Sequence, residues 1–203
     1  MTKYIVFALV AGILCGNAFM DPVHVPKLET VLELALVFLL FTVGLKLGFN
    51  KDLGAQLVTL PKLSLLIPFL VAAASLGSAM MLAPIIGLHP LEGAAVAGGF
   101  GWYSLSGLLI AQSYDTALGT LAFLANIMRE LTAIVAIPFV AKYLGNLSAV
   151  APGGATAMDV TLPLISRNTD VQTTLVAVYS GTILSLLVPI VVPLLIRWAQ
   201  LLA

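Results

Sequence analysis

Three charged side chains, Arg129, Glu130 and Asp159, fall inside stretches otherwise built from aliphatic, small and hydroxyl residues. A charge at the centre of a bilayer costs about 2.5–3.5 kcal/mol on insertion scales, so such residues tend to be kept for ion, proton or substrate handling. Two carboxylates held near one another in a low-dielectric cleft form a cation site, and they can also take up and release protons. Adjacent helical residues diverge by about 100°, so Arg129 and Glu130 cannot both face one small cavity. The spacing predicts Glu130 facing the cavity, with Arg129 pairing with Asp159 or capping free carbonyls. Asn126 lies one helical turn before Glu130 and is expected on the same side. The competing reading is a buried Arg–carboxylate network that only holds segments together.

Hydroxyls and glycines surround these charges in the chain. Ser104, Ser106, Thr156 and Thr161 stand beside Gly98-Gly99 and Gly153-Gly154. Such hydroxyls, with backbone groups freed by a helix break, can bind an ion or a carboxylate. A half-helix amino terminus near 98–101 or 153–156 favours an anionic group. A zwitterion with an extra positive charge suits this mixture. Trp102 and Tyr103 fit two roles, as anchors at the membrane interface or as cavity walls meeting an ammonium group through the ring face. Glu29 and Glu33, one turn apart, read as a mouth or helix-start pair, and His24 and His89 as solvated loop residues. No nucleotide-binding loop, zincin helix or nucleophile elbow occurs, so an enzyme is not expected. The lone Cys15 excludes a disulfide framework or thiolate cluster, and no metal or cofactor is expected.

The elements that must position these residues follow from composition. Of 203 residues, 61% are hydrophobic and 9% charged, and mean hydropathy is +1.11. Nine basic and nine acidic side chains are too few to cover a water-soluble surface and leave no basic surplus for nucleic acid. The fold class expected is an all-α polytopic membrane protein, residues 1–203 forming one transporter domain in the lipid bilayer. Apolar stretches at 4–20, 30–48, 62–86, 116–141 and 171–198 are long enough to span. Segments 92–111 and 150–166 are interrupted by Gly, Pro and hydroxyl residues. Interrupted backbone survives at membrane depth only where protein or a wet cavity satisfies it. The alternative for these two segments is tight helix packing on small residues.

Laid over one another at an offset of 55, the two broken segments coincide at informative places. Gly98-Gly99 meets Gly153-Gly154, Ser104 meets Asp159, Ser106 meets Thr161, Asp115 meets Asp170 and Pro138 meets Pro193. The pattern predicts an internal repeat, with units 92–141 and 147–198 following the three spanning helices of 4–86. Cytoplasmic loops carry the excess of Lys and Arg. If both broken segments are re-entrant, Lys3, Lys46, Lys51, Lys62, Lys142 and Arg167 fall inside, and only Lys27 and Arg197 outside. Full crossings would move Lys142 outside. The re-entrant arrangement makes the repeat inverted, with the amino terminus inside and the carboxy terminus outside. Inverted repeats with discontinuous segments at the midplane are a common plan of secondary transporters.

The string from Gly99 to Gly107 (GFGWYSLSG), the Arg129-Glu130 pair and the string from Gly154 to Pro163 (GATAMDVTLP) resemble the LysO family of lysine exporters. The segment from Leu184 to Ile190 is similar as well, and the likeness runs from about residue 5 to near the end. The resemblance implies export of L-lysine and its toxic analogues across the cytoplasmic (inner) membrane. It implies that intramembrane acids matter, matched here by Glu130 and Asp159. Full-length members of the family look longer at the amino terminus, which raises the expectation of a small companion membrane subunit or a homodimer. Exchange for protons is the coupling expected from the acidic pair. The rival functions are a non-transporting or obligate-partner subunit and a carrier of another solute, such as a cation–proton exchanger.

Overall fold

A computed structural model describes residues 62–202 continuously, together with helical positions 11, 12, 14–16, 34, 38, 41, 42 and 45. Apart from those positions, the expected spans 4–20 and 30–48, with their loops and charges, lie outside the described residues. Among the described residues all regular structure is helical. Three helical stretches there are long and apolar enough to cross a bilayer: Ser64–Ile86, Thr116–Leu144 and Val171–Leu202.

Helix α1 (Ile67–Leu82) carries Pro68 in its first turn, where a missing N–H costs nothing. It runs into a short 3-10 turn with Pro84 and stops at Gly87, whose φ of 79° is left-handed. Helix α2 (Pro90–Ala97) begins with reciprocal caps: His89 Nδ1 accepts from the Leu91 amide at 3.3 Å, and Glu92 accepts from the His89 amide at 2.8 Å. His89 is therefore an exposed helix cap rather than a mere loop residue. Helix α3 (Tyr103–Ser113) follows a sharp turn at residues 98–102, in which Phe100 takes φ 49° and Gly101 φ 105°. Helix α4 (Thr116–Leu144) starts at Asp115, which accepts from the Leu118 amide at 2.7 Å, and ends before Gly145.

Two 3-10 turns (Leu147–Val150 and Gly154–Met158) then lead to α5 (Leu162–Asn168). Helix α6 (Val171–Leu202) is capped by Asp170, which accepts from the Thr173 amide at 2.7 Å. Prolines at 138, 189 and 193 interrupt the ladders of α4 and α6.

Each broken segment doubles back. The Tyr114 hydroxyl donates to Glu92 at 2.6 Å, tying the end of α3 to the start of α2. At the other end of α4, Asn146 donates to Asp170 at 2.6 Å and closes the mouth of the second broken segment. The two hairpins thus open at opposite ends of α4. Helix α6 crosses behind both, and its Leu184, Val188, Val192 and Ile196 bury against Phe100 and Ile110. A second cluster joins Ile137 of α4, Val150, Ile165 of α5 and Ala177 of α6. Lipid tails are as apolar as Leu, so this packing gains little from hiding side chains and depends on close fit and internal hydrogen bonds. At Gly181 of α6 an added Cβ would lie 2.5 Å from the Met158 amide nitrogen, so only glycine lets α6 touch the second break.

Candidate functional site

Breaking a helix frees backbone groups that lipid cannot satisfy, and α4 supplies the partners for both breaks. Asn126 Oδ1 accepts from the Gly101 amide at 2.8 Å, while its Nδ2 donates to the Val96 and Ala122 carbonyls, each at 2.9 Å. One turn on, the Arg129 guanidinium donates to Pro152 O at 3.4 Å, Ala151 O at 3.3 Å and Ser75 Oγ at 3.1 Å. Of the two roles expected for Arg129, the hydrogen bonds are those of a carbonyl cap. The breaks also bond to each other: the Ala155 amide donates to the Phe100 carbonyl at 2.8 Å. Gly154 allows this contact. Its φ is 60°, and an added Cβ would collide with the Phe100 carbonyl and crowd the Arg129 guanidinium.

Where the breaks meet lies a cavity of about 260 Å³ holding Glu130 of α4 and Asp159 of the second break. Both carboxylates are half-buried. Ser104 and Thr156 line it, and so do Trp102 and Tyr103. Tyr103 packs edge-on against Phe123, with ring centroids 5.3 Å apart, which fixes its place in the wall. Asp159 Oδ1 accepts from the Val160 amide at 2.6 Å. The volume is below the roughly 300–1,000 Å³ usual for drug-sized ligands, so the site suits a small solute.

Four of the expected site residues stand outside this cavity. Asn126 is on the expected helix but turned into the first break, where it lines a different cavity with Arg129. Ser106 is fully buried and donates to Trp102 O at 2.9 Å. Thr161 is fully buried and donates to Thr156 O at 2.9 Å. These hydroxyls close the breaks internally. The cavity holding Asn126 and Arg129 is larger, about 500 Å³, but is otherwise mainly aliphatic and has Arg129 as its charge. Two lining residues, Ser185 of α6 and Met158, were not singled out from the sequence. The offset of 55 carries Glu130 to Ser185 and Tyr103 to Met158, so extending the repeat alignment by side chain finds both.

Sequence comparison bears on what the cavity serves. The family described as lysine exporter LysO matches residues 6–196. The chain belongs to the LysO family. A relative from Escherichia coli (strain K12), named lysine exporter LysO, is 37% identical over 160 residues, covering 79% of this chain and 53% of its own. The chain thus spans about half the length of that LysO protein. A protein of Haemophilus influenzae named putative lysine exporter is 30% identical over 183 residues, covering 90% of this chain and 92% of its own. No solved structure matches. The LysO match takes in both breaks, α4 and most of α6, the elements that enclose the acidic cavity.

Proposed function

We propose that this chain is a secondary transporter exporting L-lysine across the cytoplasmic membrane, with Glu130 and Asp159 as the site for the solute's cationic groups. The observation that carries this reading is the small cavity in which both carboxylates meet hydroxyls and two aromatic walls at the junction of two helix breaks. The LysO-family relatives, named as lysine exporters, point to lysine as the solute. Lysine brings two ammonium groups and one carboxylate. The acids take ammonium groups, Ser104 offers a hydroxyl, and Trp102 and Tyr103 present ring faces. Thr156, whose hydroxyl donates to Gly153 O at 2.9 Å, lines the wall. Coupling is by proton exchange: with lysine gone, the carboxylates reload with protons from the other side, so lysine and protons move in opposite directions.

The units 92–141 and 147–198 form an inverted repeat in this reading, and five spans put the amino terminus inside and the carboxy terminus outside. Three features support it: the mouth bonds Tyr114–Glu92 and Asn146–Asp170, the matched caps Asp115–Leu118 and Asp170–Thr173, and the hairpins opening at opposite ends of α4. Counterflow of labelled lysine in liposomes holding the chain tests the function. Glu130→Gln and Asp159→Asn are expected to abolish flux. Flux with unchanged pH dependence in both variants refutes the mechanism, and flux of another cation but not lysine refutes the solute.

A further inference from the structure

The acidic cavity has an internal order that neither carboxylate reveals alone. Eight of its lining residues form four pairs separated by the repeat offset of 55: Gly101 with Thr156, Tyr103 with Met158, Ser104 with Asp159, and Glu130 with Ser185. Residues related by a two-fold axis come close only near that axis, because their separation is twice their distance from it. Phe100 and Ala155 are themselves 55 apart and share a hydrogen bond of 2.8 Å. An added Cβ on Gly101 would sit 3.5 Å from its own counterpart, Thr156. For an inverted repeat, these contacts put the axis at the junction of the breaks, beside the cavity.

We infer that Ser185 is a solute-binding residue, the counterpart of Glu130, and that the cavity's carboxylates and hydroxyls occupy exchangeable positions about this axis. Unit one contributes a hydroxyl from its break, Ser104, and a carboxylate from its long helix, Glu130. Unit two does the reverse, with Asp159 in the break and Ser185 on α6. One acid and one hydroxyl thus come from each side, and the acids do not stand at equivalent positions. The Ser185 hydroxyl is buried, and its hydrogen-bond contact is the Met158 sulfur at 3.9 Å. A thioether is a weak acceptor, so this hydroxyl remains free to donate. Its natural partner is the carboxylate of a zwitterionic solute whose ammonium groups lie on Glu130 and Asp159. This assignment rests on the transport reading above.

The test exchanges the groups across the axis in the full chain, with lysine as probe. Two measurements are made in liposomes: lysine counterflow, and protection of cavity carboxylates by lysine against a hydrophobic carbodiimide. Asp159→Ser alone is expected to lower flux at least ~10-fold, the loss of a charge-assisted bond. Ser104→Asp combined with Asp159→Ser is expected to restore flux to within ~3-fold of the parent. Glu130→Ser with Ser185→Glu is expected to do the same relative to Glu130→Ser. Ser185→Ala raises the lysine concentration for half protection by roughly 10–100-fold, as loss of a hydrogen bond to a charged group requires.

If both exchanged variants stay as inactive as their single parents, while the moved carboxylate is still labelled, the exchangeability is overturned. An unchanged half-protection concentration in Ser185→Ala overturns the role of Ser185. Full lysine flux in Glu130→Gln and Asp159→Asn refutes the acidic-site mechanism of the proposed function instead, and protection of the moved carboxylates still decides the geometry. Should the exchanged variants fail to fold, Glu130→Cys with Ser185→Cys, in a Cys15→Ser background, is expected to be bridged by a short bis-maleimide. No bridging overturns the shared cavity wall.

Discussion

Replacing Asn126 by Ala tests whether a side chain of α4 holds the first break open. The amide of Gly101 is buried and donates to Asn126 Oδ1 at 2.8 Å. Removing that acceptor leaves a buried N–H without a partner, at a cost of about 1–3 kcal/mol. The two bonds from Nδ2 are worth less. The Val96 carbonyl keeps the Gly99 amide at 3.4 Å, and the Ala122 carbonyl belongs to its own helix ladder. Side-chain hydrogen bonds within membranes average about 0.6 kcal/mol each. Together the loss is about 2–4 kcal/mol. Unfolding of the full chain in mixed lipid–dodecyl sulfate micelles, followed by far-ultraviolet ellipticity, measures it. Thr120→Ala is the control, because its exposed hydroxyl only returns to Thr116 O of the same helix at 2.9 Å, and its loss should stay within about 0.5 kcal/mol. A cost for Asn126→Ala no larger than the control's would refute the idea that this amide satisfies the break.

Arg129→Leu uncaps the Ala151 and Pro152 carbonyls and should cost about 2–4 kcal/mol in the same assay, with Arg129→Lys recovering part of it. Equal stability of the Leu variant and the parent would remove Arg129 from the frame. Burial pushes the Asp170 carboxyl up, but bonds from Thr173 and Asn146 to its charged form outweigh this and hold it below its ordinary 3.8. A folded-state value held low contributes stability above pH 3.8 that is lost as pH falls through the folded value. Asp170→Asn should therefore flatten the acid limb of stability against pH, and an unchanged limb would count against it. For topology, Lys142→Cys and Arg167→Cys in a Cys15→Ser background should react with an impermeant maleimide from one side, and Ser113→Cys from the other. Labelling of Lys142→Cys and Arg167→Cys from opposite sides would exclude the re-entrant hairpins.

Much of this was legible in the residues. Long runs of Leu, Val and Ile marked the helices of 64–86, 116–144 and 171–202, because spanning needs length and apolarity and both are properties of sequence. Glycine pairs at 98–99 and 153–154 marked the breaks, since backbone that leaves the helix must turn tightly. Glu130 and Asp159 stood out by being charged where charge is costly. The roles of the remaining polar residues were less legible. Ser106, Thr156 and Thr161 have the same residue types as Ser104 or one another, and only packing shows that the hydroxyls of Ser106, Thr156 and Thr161 turn to carbonyls of their own breaks. Helical spacing placed Asn126 beside Glu130, yet the freed Gly101 amide draws the Asn126 side chain toward the first break.

The sequence by itself therefore determined an apolar helical chain, two segments broken by glycine that can be aligned at an offset of 55, and two acids set within apolar surroundings. It could do so because hydropathy, helix breaking and charge are local properties of the residues. Tertiary structure decided which groups meet. The Phe100–Ala155 bond brings the breaks together, Asn126 and Arg129 satisfy them from α4, and Gly181 admits α6 to the second break beside Ser185. Freed amides and carbonyls in a membrane must find partners in three dimensions, and that demand divides residues of the same type between framework and cavity.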